Sequence, residues 1–134
     1  MRVLIAEDNP VVRKVLEALV KRNEGFQLAG SVADGDDCLE ALEDVKPDVV
    51  SLDLEMPRMS GREVLTKLVR RHKRPGVVVV TGLPISDQPS AHDELRSLGA
   101  YTILYKDFAP SGNDLELFAR SYLTSLREAA KASS

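Results

Sequence analysis

The sequence predicts an α/β domain in which helices cover both faces of a parallel sheet. Short apolar runs recur along the chain, and the gaps between them carry apolar residues at helical spacing. The length of 134 residues suits one domain with one hydrophobic core. A content of 43% hydrophobic and 29% charged residues is typical of a soluble globular protein.

Five segments of the chain are predicted to be strands. Four of them, residues 3–6, 49–52, 77–80 and 103–105, are almost uninterrupted apolar runs. Strands that are buried on both faces of a parallel sheet have this pattern, whereas half-exposed strands alternate. The fifth segment, residues 26–32, is more polar and suits an edge of the sheet.

A helix is predicted after each strand. Asn9 can cap the first helix, and Pro10 suits its first turn. Ser60 and Glu63 open the third helix with the spacing of a capping box. The apolar positions that mark the five helices are Val11, Val12, Val15, Leu16 and Leu19, then Cys38, Leu42 and Val45, then Val64, Leu65, Leu68 and Val69, then Leu95 and Leu98, and finally Leu115, Phe118, Ala119, Tyr122 and Leu126.

The order of the elements, a strand and then a helix five times, predicts the topology. Each crossover is long enough for a right-handed parallel connection, and helices on both faces give a three-layer sandwich. A weak second strand at an edge favours the flavodoxin-like strand order 2-1-3-4-5. We expect one domain over residues 1–128, with residues 129–134 as a frayed tail or the start of a linker.

Polar residues stand at the carboxyl ends of four predicted strands, where open parallel sheets bind their ligands. Glu7 and Asp8 follow the first strand, and Asp53 ends the third. Thr81 ends the fourth strand, and Lys106 follows the fifth. Three carboxylates, a hydroxyl and an ammonium are therefore expected to meet at one rim of the sheet.

The chemistry of this set favours Mg²⁺ and a phosphoryl group. Clustered carboxylates repel one another unless a cation joins them, and oxygen ligands suit Mg²⁺. The Asp53 carboxylate could then attack phosphorus and form an acyl phosphate, whose charge the metal and Lys106 would neutralise. A bond from the Thr81 hydroxyl to a phosphoryl oxygen could pull the loop after the fourth strand inward and act as a switch.

These residues and their positions resemble the receiver family of response regulators in two-component systems, over essentially the whole chain. The pair Glu7 and Asp8, in the motif AEDN, matches the family's metal-site pair. Asp53 matches the residue that accepts the phosphoryl group. Thr81 and Lys106 match the family's switch hydroxyl and its lysine.

The resemblance implies ligands and partners as well. Asp53 would be both the phosphoacceptor and a metal ligand. Mg²⁺ would also be bound by Glu7, Asp8 and the main-chain carbonyl of Glu55. A histidine kinase would donate the phosphoryl group from its phosphohistidine. A downstream effector domain or protein would respond to the change.

Within the family, the loop DLEMPRMSG at residues 53–61 resembles the chemotaxis methylesterase group, as do residues 81–99 and 126–132. In that group a hydrolase domain with a Gly-x-Ser-x-Gly nucleophile motif follows the receiver, and the present sequence holds no such motif. We therefore expect an excised receiver or a stand-alone relative. No metabolic activity is expected beyond its own Mg²⁺-dependent phosphorylation and dephosphorylation.

The chain departs from the family pattern at three places. Asp107 follows Lys106 where the family usually has a proline that shapes the loop, which bears on the placement of Lys106. Ile103 occupies a position at which many members carry an aromatic switch residue, so an output based on aromatic rotation is not expected. Pro84 and Pro89 are expected to restrict the segment after the fourth strand, which normally moves on activation.

Several other features have structural explanations. Cys38, the only cysteine, is expected to be a packed thiol, and His72 and His92 to be solvated surface residues. The basic cluster at residues 70–74 suits the negative end of a helix dipole. The net charge of −3 disfavours a direct nucleic-acid partner, and the lack of a long apolar span disfavours the membrane, so we expect a cytoplasmic protein.

The sequence leaves two other functions open. A degenerate receiver that serves only as a protein-interaction module is compatible with Asp107 and Ile103. A phosphatase of the aspartyl-phosphate type is suggested by Asp53-Leu54-Glu55, although in that class the motif follows the first strand and its second acid is normally Asp. A dinucleotide-binding domain is disfavoured because no Gly-x-Gly-x-x-Gly motif follows the first strand.

Overall fold

Strands and helices alternate along the computed structural model, which describes residues 1–71, 74–83, 85, 87–106, 108 and 113–133. The expectations for His72, Pro84 and Asp107 concern residues outside this description. The strands are β1 (Arg2–Ala6), β2 (Gln27–Val32), β3 (Val49–Leu52), β4 (Gly76–Thr81) and β5 (Thr102–Tyr105). The helices are α1 (Pro10–Lys21), α2 (Gly35–Val45), α3 (Gly61–Leu68), α4 (Pro89–Ser97) and α5 (Asn113–Ser133).

Neighbouring strands all pair in parallel, in the order β2-β1-β3-β4-β5. The prediction of a flavodoxin-like sheet with five helices is therefore confirmed. The register aligns Ala6 with Leu52 and Thr81 with Tyr105, so the carboxyl ends of these strands form one rim. Every residue of β3 and β4 is buried, whereas β2 is partly exposed at its edge of the sheet, in line with its polar sequence.

Each face of the sheet has its own apolar core. Along β1, Val3 and Ile5 belong to the core shared with α1 and α5, whereas Leu4 and Ala6 belong to the core shared with α2, α3 and α4. This division follows from the alternation of side chains along a strand that is buried on both faces. Cys38 lies in the second of these cores, and burial raises the pKa of its thiol to about 12, as expected of a packed cysteine.

Side-chain caps fix the starts of α1 and α3 beside the rim. Asn9 Oδ1 accepts hydrogen bonds from the N–H groups of Val11 and Val12, at 2.9 and 3.2 Å. Ser60 Oγ accepts one from the N–H of Glu63 at 3.2 Å. These bonds satisfy N–H groups that the first turn of a helix leaves without a partner. Both predicted caps are therefore present.

The last helix is longer than the sequence predicts. α5 continues to Ser133, and Ala129 and Ala130 are buried. A Cβ on Gly76 would overlap the Ala129 carbonyl oxygen, so the helix packs directly against the start of β4. Residues 129–133 are thus helical rather than a frayed tail, because small side chains there allow this close approach. The domain boundary after residue 128 stays a prediction.

Membrane-spanning helices were not expected from the sequence. Among the helices of the described ranges, none is both long enough and apolar enough to cross a bilayer.

Candidate functional site at the carboxyl rim of the sheet

The carboxylates of Glu7, Asp8 and Asp53 converge where β1 and β3 end. One oxygen of each lies within 4.8 Å of the other two. The pairing of Ala6 with Leu52 places the next residue of each strand, Glu7 and Asp53, side by side. The N–H of Asp53 also donates to the Ala6 carbonyl at 2.9 Å. The structure therefore brings together the three acids that the sequence places at strand ends.

Asp53 is a buried carboxylate, with 2% of its surface exposed. Its Oδ1 accepts a hydrogen bond from the N–H of Glu55 at 3.2 Å. Burial raises the pKa of this carboxyl, and the smaller lowering effects of Asp8 and Lys106 do not reverse the shift. A carboxylate whose charged form is poorly solvated gains strongly when it meets a cation.

Gly61 sets the distance between Asp53 and α3. Its N–H donates to the Leu54 carbonyl at 2.9 Å. A Cβ at this position would overlap the main-chain carbonyl oxygen of Asp53. A glycine is therefore needed where α3 begins against the end of β3.

Glu7 is held in place by its main chain and by its carboxylate. Its N–H donates to the Val32 carbonyl at 3.0 Å, and its own carbonyl accepts from Arg13 Nη1 at 3.0 Å. Its Oε2 accepts from the N–H of Asn9 at 3.1 Å. The neighbouring Asp8 is exposed, and its pKa is raised by partial burial and then by the adjacent Asp53 carboxyl.

Lys106 extends across the rim from the end of β5 to the acids of β1 and β3. Its Nζ lies 2.8 Å from Glu7 Oε2 and 3.1 Å from Asp53 Oδ2, and 14% of its side chain is exposed. Burial by itself lowers the pKa of Lys106, but the bond to Glu7 and the charge of Asp53 outweigh it, so the net shift is upward. The two carboxylates thus keep the ammonium charged.

The rim has the features expected of a divalent cation site. Glu7 Oε1 and Asp53 Oδ2 are buried. In the described part of the chain, Oε1 has no hydrogen-bond donor, and Oδ2 has no hydrogen bond beyond its 3.1 Å ion pair with Lys106 Nζ. Buried acceptors without a donor are costly unless a cation or a water molecule meets them. The three acids oppose one ammonium, so negative charge is in excess. An oxygen-only ligand set of this kind fits Mg²⁺.

Thr81 lies beside this cluster at the end of β4 and is fully buried. Its main-chain carbonyl accepts from the N–H of Lys106 at 2.9 Å. Its Oγ1 accepts from the N–H of Leu83 at 3.0 Å, which ties the hydroxyl to the loop after β4. Because Oγ1 serves as an acceptor in this bond, its own proton can be donated to a ligand.

The prediction that His92 is a solvated surface residue is wrong. α4 turns His92 toward β5, where it is half-buried and its Nε2 forms a hydrogen bond with the Tyr105 hydroxyl. The two ring centroids lie 5.9 Å apart. Tyr105 is also the residue that pairs with Thr81 across the sheet. The rotation of α4 about its axis decides this contact. The sequence marks this helix by two apolar positions, which are too few to predict its rotation.

Two buried hydroxyls beneath the rim were not predicted. Ser51 lies on β3 two residues before Asp53, Tyr122 lies on α5, and neither hydroxyl has a hydrogen-bond partner among the residues that the structure describes. Burial raises the pKa of Tyr122, with a lowering effect from Ser51 and a further rise from the charge of Glu7. Ser51 could have been identified in the sequence as a polar residue within an otherwise apolar strand.

Comparisons with known proteins agree on one family. The family model described as "Response regulator receiver domain" matches residues 3–115. The chain is 33% identical over 126 residues to the protein-glutamate methylesterase/protein-glutamine glutaminase 2 of Paramagnetospirillum magneticum. It is 36% identical over 132 residues to the protein-glutamate methylesterase/protein-glutamine glutaminase 1 of Xanthomonas campestris pv. campestris. These matches cover 94% and 98% of this chain but 36% of each relative, so the chain spans little more than a third of their length.

Comparison with a solved structure indicates the same family. The crystal structure of the response regulator domain of Thermotoga maritima CheB superposes with a TM-score of 0.85 at 25% identity. The match covers 98% of this chain and 96% of that one. The family model extends from the second residue of β1 through β5 and includes each residue of the acidic rim. The chain therefore belongs to the response regulator receiver family.

Proposed function

We propose that this chain is a phosphorylation-activated switch that accepts a phosphoryl group from a histidine kinase on Asp53. The observation that carries the proposal is the buried Asp53 carboxylate, which lies among two other acids and is contacted by the Lys106 ammonium. This arrangement combines a nucleophile, a cation site and a fixed positive charge. Those are the parts that aspartyl phosphorylation needs.

Mg²⁺ would be bound by the carboxylates of Glu7, Asp8 and Asp53 and by the main-chain carbonyl of Glu55. When bound, the ion supplies positive charge for the phosphoryl oxygens. Two buried oxygens support this assignment: Glu7 Oε1, which has no donor among the described residues, and Asp53 Oδ2, which has an ion pair with Lys106 but no hydrogen bond there. The bond from the Glu55 N–H to Asp53 supports it as well, because it keeps the main chain of Glu55 next to the phosphoacceptor.

In the transfer step, an Asp53 carboxylate oxygen attacks the phosphorus of the donor phosphohistidine. The P–N bond breaks, its electron pair stays on the imidazole nitrogen, and an acyl phosphate forms on Asp53. A separate hydrolysis step restores the resting state: water attacks the phosphorus, the P–O bond to Asp53 breaks and leaves its electron pair on the carboxylate, and inorganic phosphate leaves. The chain needs no other covalent intermediate for this cycle.

Lys106 and Thr81 would respond to the new phosphoryl group. Lys106, which contacts Glu7 and Asp53 in the present structure, would neutralise one phosphoryl oxygen. Thr81 would donate its hydroxyl proton to another, and the loop bound through Leu83 would move with it. The displacement would reach the surface formed by α4 and α5.

The output we propose is control of a chemotaxis methylesterase effector in the cytoplasm. The curated relatives carry methylesterase and glutaminase names, and the chain corresponds to about a third of their length, roughly the size of a regulatory domain. The effector would be a further domain or a separate protein.

The two alternatives from the sequence are less well supported. A module that only binds proteins would not need two buried acids with an ammonium between them. A phosphatase of the aspartyl-phosphate type would need its second acid at the site, whereas the Glu55 side chain is exposed.

Intact-mass measurement tests the proposal. We expect incubation with Mg²⁺ and acetyl phosphate to add the mass of one phosphoryl group, and the gain to be lost on treatment with base. Asp53→Asn should show no gain, because an amide is a poor nucleophile. If the wild-type protein gains no mass with Mg²⁺, either from acetyl phosphate or from phosphorylated histidine kinases, the chain is a degenerate receiver.

A further inference from the structure

Arg58, in the loop between β3 and α3, has an unusual backbone conformation. Its φ is +67°, in a region that non-glycine residues rarely adopt. The N–H of Met59 donates to the Pro57 carbonyl at 2.7 Å, so Arg58 is the central residue of a three-residue turn. Turns of this type with positive φ are strained. Lys46 also has positive φ, but it caps the end of α2, where this conformation is ordinary.

The side chain of Arg58 holds this turn against the start of α2. Its Nη2 and Nε donate to Asp34 Oδ2 at 2.7 and 3.2 Å. Asp34 is itself the N-cap of α2, accepts from the N–H of Asp37 at 2.8 Å, and has a side chain that is 12% exposed. The carboxylates of Asp36 and Asp37 lie 3.8 and 3.6 Å from the guanidinium. Three carboxylates at the start of α2 therefore restrain the guanidinium of one arginine.

Close packing reinforces the contact. A Cβ on Gly35 would overlap the main-chain carbonyl oxygen of Met59, the residue after Arg58. Strained backbone persists only where its surroundings hold it, and it concentrates at functional sites. The turn stands three residues after Glu55, whose N–H donates to Asp53. The strained turn is thus joined to the proposed metal site by a short segment of main chain.

We propose that Arg58 is a positioning residue whose ion pair with Asp34 holds the β3–α3 loop in the conformation that binds the divalent cation. This inference rests on the proposed function, because it assigns Arg58 a role toward the Mg²⁺ site. When the pair is removed, the turn relaxes and the Glu55 main chain leaves Asp53 for part of the time. Apparent metal affinity then falls in proportion to the population that stays competent to bind.

Two variants break the pair in different ways. Arg58→Ala removes the guanidinium, and Asp34→Asn removes its partner charge while keeping a residue that caps helices equally well. The matched control for Arg58→Ala is Arg71→Ala, which breaks the 2.8 Å ion pair between Arg71 and Glu43 and makes the same change in net charge as Arg58→Ala. Mg²⁺ affinity of the unphosphorylated proteins is measured by calorimetry. Hydrogen exchange of residues 54–59 is measured without metal.

We expect Arg58→Ala and Asp34→Asn to weaken Mg²⁺ binding by about tenfold, the size typical of losing an outer-shell contact. Their amides at residues 54–59 should exchange faster than in the wild type without metal. The phosphorylation rate at saturating Mg²⁺ should change by less than about twofold, because the nucleophile and Lys106 stay in place. Arg71→Ala should match the wild type in all three measurements.

The inference is overturned if both pair variants keep wild-type Mg²⁺ affinity and wild-type exchange. It is also overturned if Arg71→Ala weakens Mg²⁺ binding as much as they do, because the effect would then reflect general stability. If the wild-type protein binds no Mg²⁺, the proposed function fails. In that case the exchange data alone decide whether the pair holds the loop.

Discussion

Two parts of the rim differ in how firmly the fold holds them. The acid side, formed by Glu7, Asp8, Asp53 and Lys106, has two carboxylates that are 1% and 2% exposed and an ammonium that contacts both. The switch side, formed by Thr81, Tyr105 and His92, has one buried hydroxyl and a half-buried pair of rings.

The difference matches the two tasks of the proposed switch. Charges that meet a phosphoryl group are effective when they are fixed before the reaction. Segments that report the change must instead be able to move, and such segments come from the less stable parts of a fold. The acid side is therefore expected to tolerate substitution poorly, and the switch side to tolerate it well.

Lys106→Ala should have the largest effect on stability. It leaves the buried carboxylates of Glu7 and Asp53 without their cation, which should cost about 3 kcal/mol in the metal-free protein. Mg²⁺ should restore part of this loss by binding the folded state. Urea unfolding with and without Mg²⁺ measures both values. An equal loss under the two conditions, or a similar loss in the exposed Lys67→Ala control, would contradict the assignment.

Alanine substitutions at two glycines, one on each side of the rim, compare how tightly the two sides are packed. An alanine at Gly61 would overlap the Asp53 carbonyl, whereas a Cβ on Gly82, next to Thr81, meets its nearest atom at 3.9 Å. We expect Gly61→Ala to lower the free energy of unfolding by about 2 kcal/mol and Gly82→Ala to change it by less than about 0.5 kcal/mol. Denaturation midpoints measure the two effects. Equal losses would show that the acid side is not the tighter region.

Acidic pH should affect the acid side through Asp53 and Asp8. Both carboxyls have pKa values raised above the ordinary aspartate value of 3.8, so the folded protein takes up protons before the unfolded chain as pH falls. Metal-free protein should therefore gain stability from these groups as pH falls through the raised values toward 3.8, while Mg²⁺ affinity declines. Melting and calorimetry between neutral and acidic pH test this. Asp53→Asn should remove much of the pH dependence, and an unchanged profile would contradict it.

Tyr105→Phe should have a small effect on stability. It removes the hydroxyl that bonds His92, which should cost no more than about 1 kcal/mol. Phosphorylation rate should stay at the wild-type value, whereas amides of α4 should exchange faster. Tyr101→Phe is the matched control, because the Tyr101 hydroxyl bonds Glu128 on α5 at 3.2 Å instead. A lower Mg²⁺ affinity in Tyr105→Phe would show that the two sides are not separable.

The strand order and the position of the site could be predicted because both depend on short patterns. Apolar runs identify strands that are buried on both faces, and the residue after each run lies at the rim whatever the detailed packing. The sequence therefore puts Asp53 and Lys106 at the same rim, where the structure brings them together, although they lie 53 positions apart. The helix caps at Asn9 and Ser60 are equally local.

Contacts between distant elements could not be predicted in the same way. The pair of Arg58 with Asp34 depends on how a loop meets the start of α2, and the bond between His92 and Tyr105 depends on the rotation of α4. The length of α5 depends on Ala129 fitting against Gly76. Packing between elements decides each of these three features. The periodicity of a single segment carries no information about that packing.

Asp53 is the residue that we propose to carry the phosphoryl group. Borohydride reduction of the phosphorylated protein converts an aspartyl phosphate into homoserine, and peptide sequencing by mass spectrometry locates the converted residue. We expect homoserine at position 53 alone, formed only with Mg²⁺ present and absent from Asp53→Asn. Homoserine at another aspartate, or a phosphoryl group that survives both base and borohydride on a hydroxyl side chain, would contradict the claim.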